Sequence, residues 1–151
     1  MVRILLDTNA VLDLVVNRYG QRHSDMLAGV GRCDEDTHEL LVCAHSLVDM
    51  TYILENNGGM KAAIPDRSRR RECARFARET VFKFCTICAI DGKVCQEAHD
   101  DKLEPDFEDA LVAACARMYK ADVIVTSDER AFRASGLRVL RPAEFATCFF
   151  S

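Results

Sequence analysis

Two aspartates directly follow apolar runs, at positions where a carboxylate needs a stabilising partner. Asp7 interrupts "VRILLDTNA" and is followed by Thr8 and Asn9, and Asp128 ends "ADVIVTSD". A carboxylate at the end of a buried strand is costly unless hydrogen bonds, a cation or water stabilise it. Each position therefore predicts either a structural cap or a functional site.

A third aspartate lies inside an apolar segment. Asp49 belongs to "HSLVDMTYIL", which predicts a largely buried helix whose one basic residue is His45, four positions earlier. Aspartate has modest helix propensity, and burial of its charge is unfavourable. A divalent cation or a cation-organised water would stabilise it, and an arginine from elsewhere in the chain is the alternative.

The segment "DFEDALVAACA" supplies two further aspartates. Asp106 and Asp109 are three residues apart, so a helix places both on one face. The predicted apolar face of this helix contains Phe107, Leu111, Ala114 and Met118. The alternative interpretation is that Asp106 caps the helix and Asp109 complements its dipole.

Together, these carboxylates favour a metal site over a structural network. If Asp7, Asp49, Asp109 and Asp128 gather without a Lys or Arg beside them, their carboxylates repel each other strongly. Hard oxygen ligands select Mg²⁺ or Mn²⁺ over zinc. The implied chemistry is metal-assisted attack of water on a phosphodiester.

The scaffold that must position these side chains is predicted to be α/β. Strand-like runs such as "VRILL", "ELLVCA", "CTICAI" and "VIVTS" alternate with helical stretches. The alternation predicts a three-layer α/β/α sandwich with a mainly parallel central sheet, forming one domain over residues 1–151. Binding crevices of such sheets lie outside the carboxyl ends of the strands, where Asp7 and Asp128 are placed.

Three local signals refine this prediction. Ser24 is expected to cap the helix over "HSDMLAGVGR". Gly58 and Gly59 are expected to end the next helix and to open a loop that reaches Pro65. A short helix is expected to run through Phe132, before a last strand near "RVL".

Charge and hydropathy exclude some classes of protein. The formal net charge of −4 argues against coating nucleic acid through bulk positive charge. No apolar run approaches the ~20 residues that span a bilayer. Arg3 and Asp7 interrupt the first apolar stretch, so it is no signal peptide. We expect a soluble cytoplasmic protein without membrane contact.

One segment is nevertheless strongly basic. An arginine-rich helix is predicted over "PDRSRRRECARFARE". Such a helix either forms a solvated face or contacts phosphates. Its arginines are Arg67, Arg69, Arg70, Arg71, Arg75 and Arg78.

The eight cysteines predict buried free thiols, because the chain is rich in apolar residues and carries no export signal. The stretch "CTICAIDGKVCQEAH" has a spacing that loosely resembles a zinc site, with Cys85, Cys88, Cys95 and His99. A strand over "FCTICAI" disfavours zinc, because residues three apart point to opposite faces.

The ordered motifs "LLDTN", "HSLVDMTYIL", "DFEDALVAACA" and "VIVTSDERAF" resemble those of the PIN-domain nucleases. This family includes VapC-type toxins of bacterial toxin–antitoxin pairs. The resemblance implies a PIN-like fold and a single-stranded RNA endonuclease that uses Mg²⁺ or Mn²⁺. It also implies an RNA substrate, a homodimer and a small antitoxin whose tail occupies the acidic groove.

The resemblance assigns roles to individual residues. Asp7, Asp109 and Asp128 would hold metal, and Asp49 would occupy the second acidic position of the catalytic set. That position is usually glutamate in the family, and aspartate is one methylene shorter. Three polar residues resemble supporting groups rather than catalytic ones: Thr8 and Asn9 at the Asp7 turn, and Thr126 beside Asp128.

Two rival interpretations remain at this point. The shorter Asp49 leaves open a catalytically impaired PIN-like scaffold that binds RNA or a protein partner. A phosphohydrolase of another α/β family is less favoured, because aspartyl-phosphate enzymes place a second aspartate where this chain has Asn9.

Overall fold

The computed structural model describes residues 1–104, 106–128 and 130–148. Its strands are rich in Val, Ile, Leu and Cys, which suit buried pleated surfaces. They are β1 (Val2–Leu6), β2 (His38–Cys43), β3 (Thr86–Cys88), β4 (Val123–Val125) and β5 (Arg138–Leu140). All pair in parallel, in the order β3-β2-β1-β4-β5. The predicted parallel α/β sheet is confirmed.

Helices connect β1 to β2, β2 to β3 and β3 to β4, since parallel pairing needs crossover connections, whereas the described residues between β4 and β5 form turns. The helices are α1 (Thr8–Val15), α2 (Gly20–Gly31), α3 (Ala44–Asn56), α4 (Gly58–Ala63), α5 (Arg67–Phe84), α6 (Gly92–Asp100), α7 (Phe107–Met118) and α8 (Pro142–Thr147). Within the described residues, no helix has the length and hydrophobicity needed to cross a membrane.

The sheet has apolar layers on both faces. Alternate residues of β1 diverge: Ile4 and Leu6 pack with side chains of α1, α2, α3, α5 and α8, whereas Leu5 belongs to the opposite core, with α7. Helix α6 packs on the outer side of α7. This arrangement is the predicted three-layer α/β/α sandwich.

The strand order determines where a site can form. The chain leaves β1 towards β2 on one side, and β4 pairs with β1 on the other side, with Leu6 opposite Val125. Such a switch in strand order opens a crevice at the carboxyl ends of the two strands. Asp7 and Thr126 directly follow these paired ends.

Two helix boundaries differ from the sequence prediction. Ser24 lies inside α2 and its hydroxyl donates to the Gly20 carbonyl, so it is not the cap. Gly58 and Gly59 begin α4 instead of a loop, because the Asn57 side chain accepts hydrogen bonds from Gly59 and Met60 backbone N–H groups. That capping supplies the partners that the first helical N–H groups lack.

The predicted short helix through Phe132 is wrong. The described residues around it form turns, and Phe132 has a φ of 68°. Its ring is fully buried in the core that contains Leu5 and Ile124. A left-handed backbone conformation is uncommon for a bulky residue, so burial of the ring outweighs the local preference.

Two helices are buried along different stretches from those predicted. Helix α3 is only partly buried, since Val48 is 69% exposed and Tyr52 is 67% exposed. On α7, Phe107 and Met118 are exposed at the two ends, whereas the run Ala110–Ala116 between the sheet and α6 is buried. Helix α3 thus buries one narrow face, at Ser46, Met50 and Leu54, and α7 buries its central turns, so both helices are less buried than predicted.

Candidate metal site

An acidic cavity of about 420 Å³ lies beside the carboxyl ends of β1 and β4. Neither Lys nor Arg is among the described residues that line it. The lining carboxylates are Asp7, Asp49, Asp106, Glu108, Asp109 and Asp128. The four aspartates of the predicted catalytic set therefore lie around one cavity, although they come from four separate segments.

Asp7 is the most deeply buried of these groups, with 6% of its surface exposed. Its backbone N–H donates to the Val125 carbonyl at 3.0 Å, and its Oδ2 accepts a hydrogen bond from Thr126 Oγ1 at 2.9 Å. Burial raises the pKa of Asp7, while the Thr126 hydroxyl acts in the opposite direction. A nearby cation would stabilise this carboxylate.

Thr126 also connects Asp7 to Asp128. The Asp128 backbone N–H donates to Thr126 Oγ1 at 3.1 Å, and Asp128 Oδ1 accepts from the Arg130 backbone N–H at 2.9 Å. The expected contact between Thr126 and Asp128 is present. One buried hydroxyl thus links the carboxylate of Asp7 to the backbone of Asp128.

The start of α7 contributes the next pair. Asp106 Oδ1 accepts a hydrogen bond from the Asp109 backbone N–H at 3.0 Å, so Asp106 is the N-cap, as the alternative interpretation proposed. Burial, followed by the negative charge of Asp7, raises the pKa of Asp109 to about 7. Asp109 is thus only partly ionised near neutral pH, and a positive charge nearby would favour its ionised form.

The third edge of the cavity is formed by α3. Asp49 is half-buried, and no Lys or Arg within the described residues forms an ion pair with it. The arginine alternative for Asp49 is therefore not realised. Burial lowers the pKa of His45, one turn earlier, although the Asp49 charge partly opposes that shift.

Glu108 is a member of this site that sequence reasoning missed. Burial, with a hydrogen bond to Asp49, raises the pKa of Glu108 to about 7. Its Oε1 lies 3.8 Å from His45 Nε2 and accepts a hydrogen bond from Thr8 Oγ1 at 3.4 Å. The available signal was its position in the first turn of α7, directly before Asp109.

The turn after β1 holds the site together. Thr8 is buried, and its Oγ1 lies 2.8 Å from Ser46 Oγ on α3, at hydrogen-bonding distance. Asn9 is exposed and lines the cavity. The supporting position expected for both residues is consistent with these contacts.

The arginines of the arginine-rich helix, α5, have different environments. Arg70 is buried and donates to the backbone carbonyls of Glu55, Ile64 and Pro65. Arg78 donates to Thr51 Oγ1 on α3. Arg70 is thus structural, and a phosphate-contacting role for the other arginines stays a prediction.

The cysteine stretch does not form a zinc site. All eight cysteines are free, and they range from buried Cys43, Cys88 and Cys115 to exposed Cys95. Among the described residues, the group of potential ligands close enough to share a metal ion contains no cysteine. Burial also raises the pKa of Cys85 to about 12, which disfavours the thiolate that zinc needs.

The fold and the cavity define an α/β protein with an acidic site at the carboxyl edge of a parallel sheet. A family model described as PIN domain matches residues 3–130. The chain belongs to the PIN domain family.

Solved structures share this fold. FitAB bound to a DNA fragment has a TM-score of 0.66 at 17% identity, covering 93% of this chain and 95% of that chain. VapBC2 from Rickettsia felis, bound to a promoter DNA fragment, has a TM-score of 0.65 at 12% identity, covering 92% and 98%. Mycobacterium tuberculosis VapC20, a sarcin–ricin loop cleaving toxin, has a TM-score of 0.64 at 16% identity, covering 89% and 95%. No curated protein matches the chain.

Proposed function

We propose that the chain, as one PIN-like domain over residues 1–151, is an endoribonuclease that depends on Mg²⁺ or Mn²⁺. The observation that carries the proposal is the meeting of Asp7, Asp109 and Asp128 around one cavity that no described Lys or Arg lines. Membership of the PIN domain family supports a nuclease.

The donor set suits a hard divalent cation. Asp7, Asp109 and Asp128 would hold the metal through carboxylate oxygens, which Mg²⁺ and Mn²⁺ prefer. Burial, followed by the negative charge of Asp7, raises the pKa of Asp109, so a bound cation would stabilise its ionised form. When bound, such an ion lowers the pKa of an attacking water and stabilises the departing oxygen of a phosphodiester.

The remaining residues orient these ligands. The single hydroxyl of Thr126 donates to the Asp7 carboxylate and accepts from the backbone N–H of Asp128. Asp49 supplies the second acidic position and would act on the attacking water. The Asp49 side chain is one methylene shorter than the usual glutamate. Glu108 lies beside it and has the longer glutamate side chain.

The proposed biological role is the toxin of a type II toxin–antitoxin pair in the cytoplasm. Its support is structural likeness to PIN-fold chains solved within VapBC and FitAB complexes. The role predicts RNA as substrate, a homodimer, and inhibition by a small antitoxin that occupies the acidic cavity.

Purified full-length protein tests the chemistry. We expect cleavage of single-stranded RNA with Mg²⁺ or Mn²⁺, and loss of cleavage in Asp7→Asn, which keeps the size of the side chain but removes its charge. Asp36→Asn, on an exposed turn far from the cavity, is the matched control. Cleavage that persists in excess EDTA would refute the proposal.

A catalytically impaired scaffold is the second candidate, and Asp49 in place of the usual glutamate is the observation that favours it. Asp49→Glu distinguishes the two functions. If the wild-type chain binds RNA without cutting it and Asp49→Glu restores cleavage, the chain is a scaffold. A wild-type chain that cuts RNA excludes the scaffold.

A further inference from the structure

His45 is partly buried, with 19% of its side chain exposed, and its imidazole forms no hydrogen bond within the described residues. Both ring nitrogens are inaccessible to solvent and make no hydrogen bond there. The nearest carboxylate oxygen, Glu108 Oε1, lies 3.8 Å from Nε2, beyond hydrogen-bonding distance. Buried polar atoms in folded proteins are nearly always satisfied, so a further partner is required.

The side chains around His45 identify that partner. One ligand atom each from His45, Asp49 and Glu108 lie within 4.8 Å of one another. Asp49 and His45 are four residues apart on α3, so they lie on one face, and Glu108 reaches them from α7. One nitrogen and two carboxylates converge on the space between the two helices.

We infer that His45, Asp49 and Glu108 form a second divalent-metal position with a nitrogen ligand, separate from the one formed by Asp7, Asp109 and Asp128. The inference rests on the proposed function for its metal requirement and adds the identity of the ion. Imidazole nitrogen binds divalent first-row transition metals, from Mn²⁺ to Zn²⁺, in preference to Mg²⁺. The mixed donor set therefore selects a transition metal, whereas the all-carboxylate position accepts Mg²⁺.

An ion pair between protonated His45 and Glu108 is the competing explanation. It would satisfy Nε2 if the 3.8 Å separation shortened, but it would leave Nδ1 without a partner. It also predicts no direct bond from His45 to any metal ion. The two explanations differ in whether a nitrogen atom is coordinated.

Pulsed electron paramagnetic resonance of Mn²⁺ added to the full-length chain measures that difference. We expect nitrogen modulation of the Mn²⁺ echo in the wild type and in Asp7→Asn, and its loss in His45→Gln. His99→Gln, which changes an exposed histidine on α6, is the matched control and should retain the modulation. Labelling the wild type with ¹⁵N-histidine shifts the modulation frequencies and needs no variant, so the measurement holds even if His45→Gln fails to fold.

Titration provides a second readout. His45→Gln should weaken Co²⁺ binding by about tenfold or more, with a much smaller change for Mg²⁺. Bound Mn²⁺ without nitrogen modulation in the wild type would overturn the inference, and so would modulation that survives in His45→Gln. RNA cleavage is measured separately. Nitrogen ligation without cleavage would refute the proposed nuclease and leave this metal position in place. Cleavage without nitrogen ligation would refute this metal position and leave the proposed nuclease in place.

Discussion

At the scale of single residues, the acidic cavity depends on a neutral side chain that hydrogen-bonds the residues bearing its carboxylates. Thr126 is fully buried, donates to Asp7 Oδ2 and accepts from the Asp128 backbone N–H. A hydroxyl can do both because it carries one donor and two acceptor sites. Apolar residues of the same shape cannot replace it.

Thr126→Val is therefore expected to impair the site more than the fold. Valine keeps the volume and the β-branched shape, but it frees Asp7 Oδ2 and leaves the Asp128 N–H without its partner. We expect Mn²⁺ affinity to fall by roughly 10- to 100-fold, the effect of losing a group that orients a metal ligand. Isothermal titration calorimetry measures this change.

The control for that substitution is Thr147→Val on α8, whose exposed hydroxyl bonds, among the residues that the structure describes, to backbone carbonyls of its own helix. It should bind Mn²⁺ as the wild type does. Equal Mn²⁺ affinity in wild type and Thr126→Val would show that Asp7 and Asp128 keep their positions without this hydroxyl.

At the scale of elements, α5 illustrates how one helix uses the same residue type in two ways. The Arg70 guanidinium donates to the carbonyls of Glu55, Ile64 and Pro65 at 2.8, 2.8 and 2.7 Å. These carbonyls belong to the end of α3 and to the segment that leads from α4 into α5. Arg70 thus fixes the junction of three helices.

Arg70→Lys is expected to destabilise the protein by about 2 kcal/mol, because an ammonium group cannot reproduce the planar fork and leaves buried carbonyls without a donor. Urea denaturation followed by circular dichroism measures the free energy of unfolding. Arg71→Lys, one position later and exposed, should change it by less than about 0.5 kcal/mol. If both variants are equally stable, Arg70 does not hold the junction.

The packing of α2 against α8 makes a second prediction at this scale. A Cβ atom added at Gly29 would overlap the buried ring of Phe145, whereas one added at Gly31 would meet nothing within 4 Å. Gly29→Ala should therefore lower the free energy of unfolding by roughly 1–3 kcal/mol through overpacking. Gly31→Ala should raise or leave it unchanged, because alanine has the higher helix propensity.

Thermal unfolding of both variants decides the matter. A Gly29→Ala protein as stable as Gly31→Ala would mean that α8 can shift away from α2 without cost. The comparison controls for helix propensity, since both positions lie in the last turn of the same helix.

Local signals in the sequence predicted the elements and the strand-end carboxylates well. Asp7 and Asp128 were found because an apolar run followed by an acid is visible without knowing the fold, and parallel strands place their carboxyl ends at one edge. His45 and Glu108 could not be assigned in the same way, because their meeting depends on how α3 and α7 rotate about their axes. The predicted cap at Ser24 failed because α2 begins four residues earlier, at Gly20, and the predicted helix at Phe132 failed because burial of its ring outweighed the local preference.

At the scale of the whole molecule, the acidic cavity lowers stability when its carboxylates ionise without a cation. Asp109 and Glu108 both have pKa values raised to about 7, from 3.8 and 4.5, chiefly by burial. The folded protein therefore binds protons that the unfolded chain releases near pH 4. Stability from these groups is fully present below pH 4 and is lost as the pH rises through 7.

We therefore expect the melting temperature in EDTA to be a few degrees lower at pH 8 than at pH 5. The pH slope should become shallower in Asp109→Asn, which cannot ionise at this position, and should be retained in the exposed control Asp36→Asn.

Mn²⁺ should raise the melting temperature more at pH 8 than at pH 5, because the ligands must lose their protons to bind it. Differential scanning fluorimetry over this pH range measures all three effects. A melting temperature in EDTA that rises from pH 5 to pH 8 would contradict the sign of both raised pKa values, and a Mn²⁺ effect independent of pH would show that these two carboxyls do not bind the metal.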